Sequence, residues 1–178
     1  MDRQSTLLSL RKIDDILSLV VKVICVILLG AIVTTISVSV FTRFVIFYPL
    51  NFADALAKYL MMWMAFLGSG LAIKEGEHIV VDMFVNKLGG RAKKMLLIAI
   101  NIVVSIFLMI VIYYGFLYAL SGRDSHDPFV FGISMLIPYL SVPVGACYML
   151  IQINLTTFIR MLGEKVEDGQ PQLQQGGI

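Results

Sequence analysis

A chain of 178 residues in which 58% are hydrophobic and only 15% are charged has the composition of a membrane protein, since soluble domains carry about 45–50% apolar and about 25% charged residues. A net charge of +2 spread along the chain lacks the basic stripe that nucleic-acid binding requires, which excludes that class of partner. Its two cysteines, Cys25 and Cys147, both lie inside apolar runs and read as buried thiols, neither a disulfide framework nor a metal-type pair.

The N-terminus, MDRQSTLLSLRKIDDILSLVVK, places Asp14 and Asp15 ahead of a long apolar run and offers no small-x-small cleavage site, so the first run reads as a retained anchor. Within it Leu7, Leu10, Ile13, Leu17 and Val20 recur at helical spacing with charges between them. That pattern predicts an amphipathic lead-in, either interfacial or a cytoplasmic extension of helix one. Four stretches, residues 20–40, 56–73, 95–120 and 136–159, are long enough to cross a hydrocarbon core about 30 Å thick, which takes about 20 helical residues. The second is the shortest, and Lys58 in the preceding NFADALAKY can snorkel to extend it. Pro138 falls in the first turn of the fourth helix, where a missing N–H is harmless, and Pro143 predicts a kink. Residues 1–162 therefore read as a single four-helix transmembrane domain. Residues 163–178, GEKVEDGQPQLQQGGI, carry too little apolar surface to fold and are expected to form a disordered cytoplasmic tail.

Basic residues in short connections stay on the cytoplasmic side. Ten lie on one side of the four runs (Arg3, Arg11, Lys12, Lys74, Lys87, Arg91, Lys93, Lys94, Arg160, Lys165) and three on the other (Arg43, Lys58, Arg123). Both termini are thus expected in the cytoplasm. The fold expected from sequence is an all-α membrane protein with four transmembrane helices, an N-terminal amphipathic lead-in, and an interfacial helix between helices two and three.

That interfacial helix comes from HIVVDMFVNKL, which sets His78, Asp82 and Asn86 along one polar stripe with apolar residues around the rest. A solvated turn is the plainer alternative. After Gly89-Gly90, RAKK opens helix three among the headgroups of acidic membrane lipids. His78 and Asp82 have a spacing that metal sites also use, yet no third ligand accompanies them. His126 lies in a connection on the opposite side of the membrane, so the two histidines cannot pair across a haem. No catalytic, cofactor or metal site is expected.

Helices three and four hold no ionisable residue within 95–120 or 136–159, whereas proton and ion paths are usually marked by such groups. A self-sufficient four-helix exporter would need a midmembrane acid, and the membrane anchor of a redox enzyme would need intrahelical histidine ligands. Helix two carries Ala65, Gly68, Ser69 and Ala72 at small-xxx-small spacing, which predicts a close helix neighbour, from this chain by preference or else from a partner. Trp63, inside the same span, is expected to contact protein, because lipid offers its N–H no acceptor.

Residues 43–84, RFVIFYPLNFADALAKYLMMWMAFLGSGLAIKEGEHIVVDMF, resemble the small membrane subunit of tripartite ATP-independent periplasmic (TRAP) transporters. The likeness rests on Arg43-Phe44-Val45, Pro49-Leu50, Phe52 to Ala55, Leu56-Ala57-Lys58, Trp63, Phe66-Leu67-Gly68 and Lys74 through Asp82, with the later IPYLSVPVG. Phe52 stands where a Trp is typical and Ala55 where a second acid is typical, which leaves Asp54 as the lone acid there. The resemblance implies a non-catalytic subunit in a bacterial inner membrane, bound to a large membrane subunit that holds the substrate and sodium sites. It further implies help in docking a periplasmic substrate-binding protein, and a scaffold against which an elevator-type transport domain moves. The family's substrates are mostly organic acids, sialic acids and four-carbon dicarboxylates among them. On this basis Arg43, Asp54, Lys58, Trp63, Gly68, His78 and Asp82 are candidate partner-interface residues. Arg123, Asp124, His126 and Asp127, in SGRDSHDP, form a candidate periplasmic docking face, with Arg43, Asp54 and Lys58 near it.

Overall fold

The computed structural model describes the backbone of residues 3–85 and 90–167, and the side chains of residues 8–75 and 95–159. Helix α1 runs Arg3–Phe41, α2 Asn51–Val85, α3 Gly90–Ser121, α4 Leu136–Tyr139 and α5 Ser141–Glu167. Four segments, Leu8–Ile46, Asn51–Glu75, Met95–Ser121 and Leu136–Ile159, are long and apolar enough to cross a membrane, and each contains one of the stretches expected from sequence. Unbroken helices suit these segments because lipid gives a backbone N–H or C=O nothing to bond. Alternating crossings return the C-terminal end of α5 to the end of the bundle where α1 begins, as the bond between Gln152 and Asp14 shows.

The amphipathic lead-in is part of α1, continuous from Arg3, and its inner face mixes polar and apolar residues. Asp14, Ser18 and Val21 are buried, while Ile13 and Val20 are half exposed. Where the surroundings are hydrocarbon, apolar side chains gain nothing by turning inward, whereas polar ones need partners. Asp14 and Ser18 therefore face the other helices, alongside Leu17 and Val21, while Arg11, Lys12 and Asp15 stay exposed.

At the far end of α1 the helix widens into a π-helical turn, Thr42–Ile46, and stops at Phe47 in the left-handed region (φ 57°). Tyr48 N–H closes the turn on Thr42 O at 3.2 Å. Helix α2 is uninterrupted through Val85, so residues 78–85 of the expected interfacial helix are the end of α2 and not a separate element. Asn86 lies outside the described residues.

Helix α5 is the centre of the bundle and packs on α2, α3 and α1. One side of it joins Tyr148 to Val21 and Leu67, flanked by Cys25, Trp63 and Leu71. The other joins Ala146 and Ile153 to Leu108 of α3. The α2–α5 crossing is tight because two glycines allow it: a Cβ on Gly70 would overlap the Tyr148 ring, and one on Gly145 would overlap Phe66. The small-residue stripe of α2 meets no other helix of this chain among the described residues. Gly68 faces open space, and Ala65, Ser69 and Ala72 are exposed. Two residues turn a helix by about 200°, so Gly70 lies on the side opposite Gly68.

The kink assigned to Pro143 appears three residues earlier, as the break at Leu140 between α4 and α5. Proline lacks the N–H that would bond the carbonyl four residues back, and its ring crowds that carbonyl, here Tyr139. Ser141 Oγ donates to Pro138 O at 2.6 Å beside the break.

The fold is not purely helical. Strands β1 (His126–Asp127) and β2 (Ile133–Ser134) form a small antiparallel hairpin, with His126 opposite Ser134 and Asp127 opposite Ile133. Its reversal uses Phe131 and Gly132 at positive φ, while Val130 is fully buried beneath it.

Candidate functional site

Two polar constellations stand out, one at each end of the bundle. At the end holding the termini, Asp14 and Ser18 lie one turn apart on α1, and Lys74 of α2 reaches both. Its Nζ is 2.9 Å from Asp14 Oδ2 and 3.0 Å from Asp15 Oδ1, and it donates to Ser18 Oγ at 2.7 Å. The second Asp14 oxygen, Oδ1, accepts from Gln152 Nε2 of α5 at 2.6 Å. A carboxylate so placed is balanced by a cation and also hydrogen-bonded, the condition under which a buried ion pair holds against its desolvation cost. Three helices meet on this one acid. By contrast Lys22–Glu75, at 2.8 Å, joins side chains that are more than half exposed and adds little.

In sequence Lys74 reads as one of the basic residues that orient the chain, and no local pattern pairs it with Asp14. The available signal was an acid on the lead-in that recurs with Ser18 at i, i+4, together with a lone cation at the end of the neighbouring span. A second polar seam joins α3 to α5. Asn101 Nδ2 donates to Asn154 Oδ1 (3.1 Å), Thr157 Oγ1 donates to Asn101 Oδ1 (3.3 Å), and Asn154 Nδ2 donates to Ser105 Oγ (3.4 Å). Interhelical bonds of this kind contribute about 0.6 kcal/mol each on average in a bilayer.

At the opposite end, Arg43 and Asp54 line one groove of about 440 Å³, walled by Val40, Phe44, Phe47 and Leu50. Arg43 comes to it from the π turn, and Asp54 from the first turn of α2. Both are exposed. Lys58 follows one turn along α2, also exposed. The structure thus brings together three of the partner-interface candidates. It separates the others: Trp63 packs into the Val21/Leu67/Tyr148 cluster of its own chain, and Gly68 lies on an open face. His78 and Asp82 belong to α2 by their backbone, while their side chains lie outside the described residues.

Beside the groove, the hairpin is pinned to α2 by Asp127. Tyr59 O–H donates to Asp127 Oδ2, and Phe129 N–H donates to Oδ1 at 2.8 Å. Asp127 is buried, so its charge is turned inward, whereas Arg123, Asp124 and His126 are exposed around it. Phe131 also packs on Phe52, their ring centroids 5.3 Å apart. Among the described residues no three histidine, cysteine or carboxylate side chains converge as metal ligands would.

Comparison with known proteins agrees with the resemblance. The family model described as tripartite ATP-independent periplasmic transporters, DctQ component, matches residues 32–163. The chain is 26% identical over 145 residues to the sialic acid TRAP transporter small permease protein SiaQ of Vibrio cholerae, across 82% of this chain and 83% of that protein. It is 28% identical over 138 residues to the ectoine TRAP transporter small permease protein TeaB of Halomonas elongata, across 74% of this chain and 72% of that one. These relatives are permease subunits and not enzymes, and the apolar helices make this chain a multi-pass inner-membrane protein of the same non-catalytic kind. The chain belongs to the DctQ family, the small membrane component of TRAP transporters.

Proposed function

We propose that this chain is the scaffold subunit of a sodium-driven uptake system for an organic acid of the sialic acid or four-carbon dicarboxylate type. In that role it supports a large elevator-type membrane subunit, helps dock a periplasmic substrate-binding protein, and has both termini in the cytoplasm. The observation that carries the proposal is the distribution of charge. Of the two buried acids among the described residues, Asp14 is matched by Lys74 and Asp127 is held by the Tyr59 hydroxyl and the Phe129 amide within the hairpin, so neither is free to couple an ion, while Arg43 and Asp54 stand exposed on one groove. A chain so built offers a rigid body with a charged rim and leaves transport chemistry to a partner.

The names of the two relatives support a division of labour as well. Sialic acid and ectoine are chemically unlike, yet small subunits of both systems align with this chain at similar identity. Substrate choice therefore belongs to other components. The groove with Arg43, Asp54 and Lys58 is assigned to the partner interface, and Arg123, Asp124 and His126 to the periplasmic docking face. Uptake of a labelled organic acid into proteoliposomes that hold the large subunit and binding protein, with and without this chain, tests the proposal. Uptake that depends on the chain is expected, and equal uptake in its absence would overturn it.

A further inference from the structure

Two buried polar atoms next to the Asp14–Lys74 pair have no hydrogen-bond partner: Tyr148 Oη and Gln152 Oε1. Tyr148 is 6% exposed and Gln152 0%. Buried polar groups in proteins are nearly always satisfied, by protein or by ordered water, so this pair calls for a ligand.

The orientation of the Gln152 amide is fixed by its neighbours. Its Nε2 donates to Asp14 Oδ1 at 2.6 Å and to Thr156 Oγ1 at 3.3 Å. Thr156 in turn gives its own proton to Gln152 O at 2.8 Å, which leaves its lone pairs to receive the amide. Reversing the amide would set a carbonyl against the Asp14 carboxylate. Oε1 is thereby held away from Asp14 as an acceptor without a donor.

Tyr148 sits one turn earlier on the same face of α5, since residues four apart on a helix are neighbours. Its ring lies in the space that Gly70 leaves free, and Gly70 is one turn before Lys74 on α2. The hydroxyl can donate, the amide oxygen can only accept, and they are not bonded to one another.

We infer that the junction of α1, α2 and α5 binds one internal water molecule, which accepts a hydrogen bond from Tyr148 Oη and donates one to Gln152 Oε1. A water needs two to four polar partners to be held in an interior, and these two supply the minimum within reach of the ion pair. A cation does not fit the same place, because Lys74 already neutralises Asp14 and would repel it. The water extends the link between α5 and the α1–α2 pair beyond the single Gln152–Asp14 bond.

X-ray radiolytic labelling of the full chain in lipid nanodiscs tests this, since hydroxyl radicals formed from a bound water oxidise the side chain beside it. After normalisation for intrinsic reactivity, Tyr148 is expected to take up oxygen well above Leu67, which is comparably buried in the same cluster and has no polar atom in its side chain to hold a water. In Tyr148→Phe, which keeps the ring against Gly70, labelling at position 148 is expected to fall to the Leu67 level. Labelling of Tyr148 no greater than Leu67, or labelling at 148 that persists in Tyr148→Phe, would overturn the assignment.

Discussion

Replacing Lys74 by Met removes the ammonium from Asp14 while leaving a side chain of similar length in place. Asp14 then keeps only Gln152 Nε2 at 2.6 Å and becomes a buried carboxylate without a matching charge. Breaking a buried ion pair in this way costs about 3–5 kcal/mol. The Lys74 side chain is 23% exposed and that of Asp14 10%, so water can reach the ammonium in part. The expected loss is therefore near the lower end, about 3 kcal/mol. Asp15 does not compensate, because its side chain is 75% exposed and solvated whether or not Lys74 is present. Asp14→Asn combined with Lys74→Met removes both charges at once, and the double variant is expected to recover at least about 1 kcal/mol relative to the sum of the single losses. Unfolding in mixed micelles, followed by fluorescence of Trp63 beside the Val21/Leu67/Tyr148 cluster, measures all three variants. Single losses below about 1 kcal/mol, or losses that simply add, would refute the argument that Asp14 and Lys74 form the bond on which α1, α2 and α5 converge.

Gly70→Ala is expected to destabilise the bundle by about 1–3 kcal/mol through overpacking against the Tyr148 ring, whereas Gly68→Ala, which meets open space, is expected to be neutral or slightly stabilising by the same unfolding assay. Tyr59→Phe removes a donor from the buried Asp127 carboxylate at a cost of about 1–3 kcal/mol; hydrogen exchange should quicken in the hairpin, residues 126–134, and leave α3 unchanged. Arg43→Glu is expected to reduce co-purification of the large membrane subunit, and the swap Arg43→Glu with Asp54→Arg to restore part of it. Co-purification unaffected by Arg43→Glu would remove the groove from the partner interface.

The spans were legible in sequence because a bilayer admits no broken helix without compensation, so four apolar runs map directly onto four crossings. Which face of each helix turns inward was not. The lead-in shows why: periodicity identifies an amphipathic helix, but whether the apolar or the polar stripe is buried depends on what surrounds it, and Asp14 finds its partners on α2 and α5, the latter 138 residues away. The small-residue stripe of α2 is a related case: spacing marks a face for close approach without saying whether the neighbour belongs to this chain, and the tight crossing within the chain is at Gly70 on the other side. Pro143 did predict a break, and the missing N–H displaces it toward Leu140. The SGRDSHDP turn was recognised as a connection, but its hairpin depends on Tyr59, 68 residues away, holding Asp127, which no local pattern encodes. Arg43, Asp54 and Lys58 were singled out by family resemblance and lie together at one end of the bundle, Arg43 and Asp54 on a single groove. Trp63 turned out to support the interior of its own chain.

The central claim is that this four-span bundle works as one part of a larger membrane complex. Native mass spectrometry of a detergent extract, with the large membrane subunit and the binding protein expressed from their own genes, tests it most directly. The account predicts a heterocomplex in which this chain is bound to a much larger membrane subunit. A stable homodimer of this chain, with no larger membrane partner attached, would contradict it.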